Sequence, residues 1–339
     1  MGDTANEKVR VAYLGPPASF SHQAALAVFP AGELLPSPSF TAIFGSLQPN
    51  QEANSASASA NANVTFAILP IENSTNGSVT PVLDLLAQCS QHYPDLEVCA
   101  EHYLSVHHYL FTNHDRQDRQ SSAKLSSIQT LYTHPQVWTQ CSKYLGKHLQ
   151  HAEKIDVSST SKAATLVKEA AAGSDVNRVA AICSKLAGEQ AGLKCVAEEL
   201  EDDATNTTRF FVLRNRRTSP PAAIVAEVKQ SANEDINVKS LLLFTISHTT
   251  PGSLSKALEV FAKHGLNLTR IDTRPSKKYS WHYVFFVECE ERLRIEQIRQ
   301  ESAWGYVGKL GNALIELTEV TESVVCLGRW KDMLEGLKS

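Results

Sequence analysis

Short apolar runs alternate with polar turns and helical segments through residues 9–213. The run at residues 11–14 leads into a Gly-Pro turn and a helix start. The run at residues 66–71 leads into a polar loop and then a helix over residues 79–88. Strands that alternate with helices in this way are typical of parallel α/β layers. We therefore predict an α/β domain over this part of the chain.

A change in this pattern marks a second domain. Residues 214–238 are linker-like, with several charges and the pair Pro220-Pro221. Beyond them, apolar side chains recur at the spacing of one helical face, at Leu254, Ala257, Leu258 and Phe261. The predicted order is a strand at 241–246, this helix, strands at 267–274 and 282–287, a helix around 302–317 and a strand at 323–327. This β-α-β-β-α-β order predicts an α+β, ferredoxin-like domain over residues 239–333.

Polar side chains stand at two places where a predicted strand gives way to a helix. Ser19 or Ser21 would cap the first helix, and Glu72, Asn73 and Ser74 begin the loop after the second run. Free backbone N–H groups at a helix start, with the helix dipole behind them, make an anion site at the carboxyl ends of parallel strands. Plain helix capping is the alternative for each loop taken singly.

A third polar segment, Asn206-Thr207-Thr208-Arg209, comes directly before an apolar run. Thr and Arg side chains can hold carboxylates by hydrogen bonds, and a hydroxyl can also donate to a departing oxygen. The alternative is a solvated strand edge. Neighbouring side chains on a regular strand face opposite sides, so Thr208 and Arg209 would share a site only if the backbone bends there.

Together the three segments resemble the motifs of the prephenate dehydratase family. Those motifs are Gly-Pro-x-Gly-Thr-Phe-Ser, Pro-Ile-Glu-Asn-Ser and Asn-x-Thr-Arg-Phe, and this chain carries their counterparts at residues 15–21, 70–74 and 206–210. Residues 133–136, 159–161 and 180–183 match further stretches. The chain has Ala18 where the family has Gly, and Ser19 where the family has Thr. Ser19 keeps the hydroxyl, but Ala18 adds a Cβ, which a positive φ would strain.

The resemblance implies a two-lobed catalytic domain, similar to type II periplasmic binding proteins, over residues 9–213. One lobe would comprise residues 9–101 with 209–213, and the other residues 102–201. The implied activity is that of a carbon-oxygen lyase of L-phenylalanine biosynthesis, which converts prephenate to phenylpyruvate with loss of CO2 and water and needs no cofactor.

The resemblance also implies roles for individual residues. Thr208 would act at the leaving hydroxyl as a hydrogen-bond donor or relay, because a threonine hydroxyl is a very weak acid. Arg209 would bind a substrate carboxylate, since its planar fork suits bidentate contact. Glu72 would support the loops or orient Arg209, because a carboxylate beside a dianion is repulsive. The implied substrate-binding residues are Arg209, Asn206, Phe210, Ser19, Phe20 (as an apolar wall), Ser21, Glu72, Asn73, Ser74, Gly77, Ser78, Ser159 and Thr160.

The second domain resembles an ACT domain, a small-molecule sensing module. Residues 267–275 are similar to the family's phenylalanine-binding Asn-Leu-Thr-x-Ile-Glu-Ser-Arg-Pro, with Asp272 and Thr273 in place of Glu and Ser. This implies feedback inhibition by phenylalanine. A purely structural domain that joins subunits is the alternative. ACT strands commonly pair edge to edge, so a homodimer or homotetramer is implied. The implied effector-binding residues are Gly252, Ser253, Leu254, Asn267, Leu268, Asp272, Thr273 and Arg274.

Composition narrows the class of protein. A net charge of -4 without a basic stripe argues against nucleic acid as a partner, and no apolar run approaches the ~18 residues of a membrane helix. The seven cysteines show no metal spacing and are predicted to be reduced core residues, and His107-His108 is predicted to pack within a strand. No metal is implied, and a cytoplasmic location is expected. Residues 49–63, rich in Ser, Ala and Asn, are predicted to form a surface loop.

Two other functions stay open at this point. An arogenate dehydratase would follow the same chemistry on a substrate with an amino group in place of the ketone. A non-catalytic ligand-binding sensor would use the same two-lobed fold and ACT domain. Such a sensor would not need a hydrogen-bond donor at Thr208.

Overall fold

The first two-thirds of the chain alternates strands and helices as the hydrophobic pattern predicts. The structure, a computed structural model, describes residues 8–48, 64–113, 125–170, 178–217, 235–294 and 308–334. The predicted loop at 49–63 lies outside these ranges. The strands of this part are β1 (Arg10–Leu14), β2 (Glu33–Ser37), β3 (Phe66–Asn73), β4 (Gly77–Ser78), β5 (Leu96–Ser105), β6 (Tyr109–Thr112), β7 (Thr130–Thr133), β8 (Glu153–Asp156), β9 (Val179–Cys183), β10 (Lys194–Ala197) and β11 (Thr207–Asn215).

Several helices of this part begin after a polar cap. They are α1 (Phe20–Val28), α2 (Phe40–Ser46), α3 (Thr80–Leu86), α4 (Cys89–His92), α5 (Pro135–Gln140), α6 (Ser142–His148), α7 (Thr160–Glu169) and α8 (Lys185–Gln190). The side chains of Ser19, Ser159 and Ser184 accept the backbone N–H three residues on, at the starts of α1, α7 and α8. These bonds satisfy N–H groups that have no partner inside the helix.

The backbone divides into two units. The first comprises the chain up to Ile43, Ile68–Val79 and Tyr103–Phe210. In it, β11, β3, β1 and β2 are successive neighbours in one sheet, with β1 and β2 parallel. A second sheet has the order β10-β6-β9-β7-β8, in which β7 runs parallel to β8 and β9.

Two apolar clusters pack on the second sheet of this unit. Side chains alternate along its strands, so that Leu110 and Ile182 belong to one cluster and Phe111 and Cys183 to the other. Every residue of β9 is buried, as expected of a central strand covered on both faces. Ala18 belongs to the second cluster, which places the Gly15–Ser21 loop beside this sheet.

The second unit comprises Phe44–Ala67, Thr80–His102 and the chain from Phe211 onward. Its last elements are β12 (Asp235–Thr245), α9 (Ser253–Lys263), β13 (Asn267–Pro275), β14 (Tyr283–Arg294), α10 (Lys309–Val320) and β15 (Ser323–Lys331). The strands pair in the order β13-β14-β12-β15, and β15 is followed in the sheet by β5 and β11. Both helices pack through Ala257, Phe261, Leu310 and Leu317 on the same face of the sheet. The predicted β-α-β-β-α-β order is confirmed.

Some predicted boundaries differ from those of the structure. β11 continues to Asn215 and β12 begins at Asp235, so both strands extend into the predicted linker at 214–238. The predicted start of the last helix at residue 302 lies outside the described residues, and α10 is described from Lys309. The mixed α/β and α+β classes are confirmed, whereas the two-lobed arrangement stays a prediction.

All seven cysteines are free thiols, four of them buried. Burial raises the pKa of Cys89 and of Cys99 to about 12, which keeps these thiols protonated and unreactive near neutral pH. No helix within the described ranges is long and apolar enough to cross a membrane.

Candidate functional site

The loop between β1 and α1 contains a strained residue. Ala18 has φ 64°, in the left-handed region that costs a non-glycine residue about 1–2 kcal/mol. The Cβ that the sequence adds is 3% exposed and packs in the apolar cluster of the second sheet. The chain therefore adopts a positive φ at the position where the sequence analysis expected strain, and the buried methyl offsets part of the cost.

Ser19 and Phe20, predicted to bind substrate, follow Ala18 directly. The Ser19 hydroxyl donates to the Leu14 carbonyl (3.3 Å) and accepts the His22 N–H (3.2 Å). The Phe20 ring contacts the His108 ring edge-on at 5.9 Å between centroids. Ser21 is 8% exposed and lies inside α1, so its side chain has little access to a ligand.

The loop between β3 and β4 folds around the Asn73 side chain. Its Oδ1 accepts the N–H groups of Thr75 and Asn76, both at 3.0 Å. Asn73 pairs with Gly77, which has φ +75° and closes the turn without steric cost. Glu72 pairs with Ser78 in the same short ladder. Asn73 thus holds the predicted Ser74–Ser78 loop in place.

The Asn73 amide also holds the segment that contains Thr208. Its Nδ2 donates to the Thr208 hydroxyl oxygen at 3.0 Å, to Asn206 Oδ1 at 2.8 Å and to the Thr207 carbonyl at 3.3 Å. Ser74 and Thr207 add a reciprocal pair, in which the Ser74 N–H donates to the Thr207 carbonyl (2.9 Å) and the Thr207 N–H donates to Ser74 Oγ (3.0 Å). The structure therefore brings together two segments whose contacting residues lie 133–135 positions apart in the sequence.

This arrangement fixes how the Thr208 hydroxyl can act. Its oxygen accepts a hydrogen from Asn73, so its own hydrogen is available for a different acceptor. Accepting one hydrogen bond polarises a hydroxyl and strengthens the bond that it donates. Thr208 is partly exposed, so that donor can meet a ligand.

Asn206 is buried at 1% exposure beneath this contact. Its carbonyl accepts the Val106 N–H (2.8 Å), and its Oδ1 accepts from Asn73. Its Nδ2 has no hydrogen-bond partner in the part of the chain that the structure describes. A buried donor without a partner costs about 1–3 kcal/mol, which makes this amide a candidate contact for a ligand oxygen.

Arg209 does not share the side of the strand on which Thr208 lies. β11 is a regular strand here, and Thr208 contacts Asn73 while Arg209 contacts the preceding residue of β3, Glu72, at 3.8 Å between Nη1 and Oε2. The Arg209 guanidinium lies over the Tyr103 ring at 5.7 Å. To bind a carboxylate beside Thr208, Arg209 would have to leave Glu72.

Other predicted residues are placed less directly. Phe210 is 1% exposed and lies in the buried run of β11, so it is a core side chain here, and its contact with substrate stays a prediction. Ser159 caps α7, and Thr160 is buried in its first turn. They stand at the carboxyl end of β8, and the residues after β7 and β9, His134 and Ser184, cap helices at the same edge of the second sheet.

Two histidines and a serine were not predicted as site residues. His22 Nδ1 accepts the Ala18 N–H at 2.9 Å, and the Ser184 hydroxyl donates to the Ala18 carbonyl at 3.4 Å. His108, predicted only to pack, is 1% exposed and its Nε2 lies 2.9 Å from Gln140 Oε1. Burial lowers the pKa of His22 and of His108, so both rings favour the neutral form.

The segment Val106–His108 links the first and third motifs. Val106 donates its N–H to the Asn206 carbonyl, and two residues later the His108 ring contacts Phe20. The His108 N–H donates to the Glu201 carboxylate at 2.9 Å, which fixes the backbone there. The Phe20 loop and the Thr208 segment therefore contact one short stretch of chain within the first unit.

The predicted effector residues are divided between two faces of a strand. Thr273 and Ile271 pair with Phe285 and Val287, which face the helices. Asp272 and Arg274 alternate with them and face the other side. There, Arg270 Nε contacts Asp272 Oδ2 at 2.6 Å. Arg274 binds Asp84 of α3 through two nitrogens, at 2.6 and 3.2 Å.

The remaining effector residues lie on or near the helix side. Gly252 has φ +82° and stands before α9, Ser253 donates to the Thr250 carbonyl at 2.9 Å, and Leu254 packs against the core. Leu268 is 38% exposed, and Asn267 donates to Glu290 at 2.7 Å. Five of the eight residues thus lie on β13 and three at the start of α9, and their shared role in effector binding stays a prediction. In the described ranges, no group of three or more His, Cys, Asp or Glu side chains is placed to hold a metal ion.

Comparison with known proteins connects this site to a family. The family model described as "Prephenate dehydratase" matches residues 11–218, and the model described as "ACT domain" matches residues 241–301. The bifunctional chorismate mutase/prephenate dehydratase of Aquifex aeolicus is 30% identical over 329 residues, covering 97% of this chain and 75% of the relative.

Solved structures share the fold. The prephenate dehydratase of Arthrobacter aurescens, in complex with L-Phe, has a TM-score of 0.72 at 24% identity and covers 96% of this chain and 90% of its own. GqqA, described as a novel type of quorum quenching acylase, has a TM-score of 0.70 at 23% identity and covers 96% and 99%. Since one fold carries two activities, fold likeness alone does not decide function.

Proposed function

The chain belongs to the prephenate dehydratase family, and we propose that it acts as a carbon-oxygen lyase on prephenate, releasing CO2, water and phenylpyruvate. Support comes above all from one contact, the hydrogen bond from Asn73 Nδ2 to the Thr208 hydroxyl oxygen. It leaves the Thr208 hydrogen for an acceptor outside the protein.

In the proposed reaction, the ring carboxylate leaves as CO2 and its bonding electrons enter the ring. The C4–O bond then breaks, and the departing oxygen takes up one proton and leaves as water. One proton is consumed in each turnover. Thr208 would donate a hydrogen bond to this oxygen as negative charge develops on it, which is the interaction that lowers a barrier most effectively.

Thr208 is not proposed as the final proton source. A threonine hydroxyl is too weak an acid to give up its proton outright, so it would relay a proton from solvent or another donor. Asn206 Nδ2, which is buried and has no hydrogen-bond partner in the described part of the chain, would supply a second donor to a substrate oxygen once binding opens access to it. The two donors together suit an oxygen-rich ligand.

Substrate carboxylates would meet the Ser19 and Phe20 loop and the helix start behind it. Ser19 and the free N–H groups of the first turn of α1 attract an anion, and the Phe20 ring excludes water from one side. Poor solvation of the ring carboxylate favours its loss as CO2. Arg209 would bind a substrate carboxylate directly after leaving Glu72, whose carboxylate otherwise offsets its charge.

Phenylalanine is proposed as the feedback inhibitor. The ACT model, which matches residues 241–301, supports this proposal. The Arthrobacter aurescens relative forms a complex with L-Phe. The homodimer or homotetramer and the cytoplasmic location stay predictions.

The test is to incubate the purified chain with prephenate and follow phenylpyruvate, with arogenate in parallel and each reaction repeated with phenylalanine. Turnover of prephenate that phenylalanine suppresses is the expected result. A preference for arogenate would change the substrate but keep the chemistry. Absence of turnover with either substrate, while the Thr208→Ala variant binds prephenate as the wild type does, would contradict a catalytic role.

A further inference from the structure

The Ala18 loop depends on side chains outside the predicted motif. Ala18 has φ 64°, a conformation that glycine adopts freely and alanine does not. A strained residue persists only where its surroundings hold it in place. The contacts around Ala18 therefore show which residues maintain the loop.

Both backbone polar groups of Ala18 are bound by side chains. Its N–H donates to His22 Nδ1 at 2.9 Å, and its carbonyl accepts from the Ser184 hydroxyl at 3.4 Å. The Ser184 oxygen also accepts the Ala187 N–H at 3.2 Å, which orients its hydrogen toward Ala18. His22 is itself held by ring contact with Tyr13, at 4.9 Å between centroids.

These contacts reach Ala18 from two different parts of the first unit. His22 belongs to α1, four residues beyond Ala18, and Ser184 follows β9 of the second sheet. The Ala18 methyl fills the apolar cluster that includes Cys183 and Ala187. One residue is thus fixed at its N–H, its carbonyl and its Cβ.

We infer that His22 and Ser184 are positioning residues for the reaction, because together they hold Ala18 in the left-handed conformation and so place Ser19 and Phe20. This inference rests on the proposed function in that the Ser19 and Phe20 loop is taken to meet the substrate. Of the two side-chain contacts, the one from His22 determines the Ala18 conformation more specifically, because a buried N–H that loses its acceptor favours a different backbone conformation.

The expected kinetic effect follows from this role. A loop that grips the substrate equally in the ground state and the transition state affects KM more than kcat. Loss of the His22 acceptor is therefore expected to raise KM by roughly tenfold and to change kcat by less than about threefold.

Two substitutions at position 22 separate the acceptor from the ring. His22→Phe keeps an aromatic ring against Tyr13 but removes Nδ1. His22→Asn gives up the ring but keeps an acceptor oxygen near the place of Nδ1. If the inference is right, His22→Phe raises KM and His22→Asn restores most of it.

A cycle with Ala18→Gly sharpens the test, because glycine needs no help to adopt a positive φ. In the Ala18→Gly background, His22→Phe is expected to raise KM by less than about twofold. Ser184→Ala also removes a helix cap, so only part of its effect on KM acts through Ala18. That part is expected to become smaller in the Ala18→Gly background as well.

Urea unfolding requires no turnover. It is compared for four proteins: the wild type, His22→Phe, Ala18→Gly and the double variant. A smaller effect of His22→Phe on the unfolding equilibrium in the Ala18→Gly background supports the inference even if prephenate proves to be the wrong substrate. Equal effects of His22→Phe in both backgrounds, in KM and in unfolding, would overturn it. So would a His22→Asn variant that behaves like His22→Phe.

Discussion

The Thr208 cluster and the β13 strand differ in how their sequence motifs become a site. Around Thr208, the motifs at 70–74 and 206–210 come from separate segments, and the amide of Asn73 joins them through bonds of 2.8–3.3 Å. On β13, the motif is one continuous strand, and its polar residues face both sides of the sheet. The first motif pair converges, and the second motif is divided.

The geometry of loops and strands explains this difference. A loop at a strand end turns back on itself, so several of its polar groups can point to one place, as those around Asn73 do. A strand sends successive side chains to opposite faces. Asp272 and Arg274 therefore contact Arg270 and Asp84, whereas Thr273 lies on the face of the helices. A motif in a loop predicts a cluster more securely than a motif in a strand.

The largest effect is expected from Thr208→Ala. Loss of the donor at the leaving oxygen should lower kcat by a hundredfold or more. Because the side chain is partly exposed, unfolding in urea should shift by no more than ~1 kcal/mol. Steady-state kinetics with prephenate, beside urea unfolding, checks both.

Thr208→Ser is the matched control, since serine keeps the hydroxyl that Asn73 orients. It should retain kcat within about tenfold of the wild type. A Thr208→Ala variant that is as active as Thr208→Ser would remove the hydroxyl from the mechanism.

A second prediction concerns the link itself. Asn73→Asp keeps an acceptor for the Thr75 and Asn76 N–H groups but loses the amide donor to Thr208. It should lower kcat roughly ten- to a hundredfold, because the Thr208 hydroxyl is no longer polarised and a negative charge now stands beside the substrate. Steady-state kinetics with prephenate measures kcat, and urea unfolding reports the loss of the contacts that the amide donates.

Asn73→Ala serves as the contrast, because it removes the acceptor as well. It should cost about 1–3 kcal/mol of unfolding free energy in addition to the loss of activity. Equal stability of the two variants would mean that the loop N–H groups do not depend on Asn73.

The sequence predicts much of this site because its polar residues stand at strand ends. The Asn73 and Thr208 segments each flank an apolar run, and the order of runs indicates an α/β sheet whose strand ends share an edge. The opposite facing of Thr208 and Arg209 also follows from strand alternation. What alternation cannot predict is the partner, and the contact of Arg209 with Glu72 depends on the pairing of β11 with β3.

Two of the contacts that sequence reasoning missed join distant segments through buried side chains. Ser184 reaches Ala18 across 166 positions, and Gln140 reaches His108 across 32. A serine before a helix predicts a cap, and Ser184 is one, but its second bond depends on tertiary packing. The apolar run that follows Arg209 predicts the burial of Phe210, whereas its position in the motif predicts a contact with substrate.

A third prediction tests the division of β13. If phenylalanine binds on the helix side, Leu268→Ala should weaken its binding by roughly tenfold, because an exposed apolar contact is lost. Asp272→Asn and Arg274→Lys should change its affinity by less than about threefold, since their side chains lie on the other face. Calorimetric titration of the three variants with phenylalanine gives these affinities directly.

The opposite result would be as informative. A large loss of affinity with Asp272→Asn or Arg274→Lys would mean that these residues leave Arg270 and Asp84 to contact the effector. Inhibition of turnover is measured beside binding, because Arg274→Lys also replaces the bidentate contact with Asp84. If Arg274→Lys binds phenylalanine as the wild type does but is no longer inhibited by it, the contact with Asp84 transmits the effect of binding and does not recognise phenylalanine.

The smallest expected effect is the pH dependence that His22 contributes to stability. Burial lowers the pKa of His22 in the folded chain below its ordinary value. The neutral ring is also the form that accepts the Ala18 N–H through Nδ1. A group with a lowered folded pKa stabilises the fold above its unfolded pKa, near 6.5, and this contribution is lost as the pH falls through the folded pKa.

His102, His108 and His134 shift in the same direction, so the whole-protein profile does not isolate His22. Comparison with His22→Phe does, since the variant has nothing to titrate there. The stability advantage of the wild type over His22→Phe should be larger at about pH 8 than at about pH 5 by urea unfolding. A constant difference across that range would mean that His22 keeps its ordinary pKa and that protonation does not compete with the Ala18 contact.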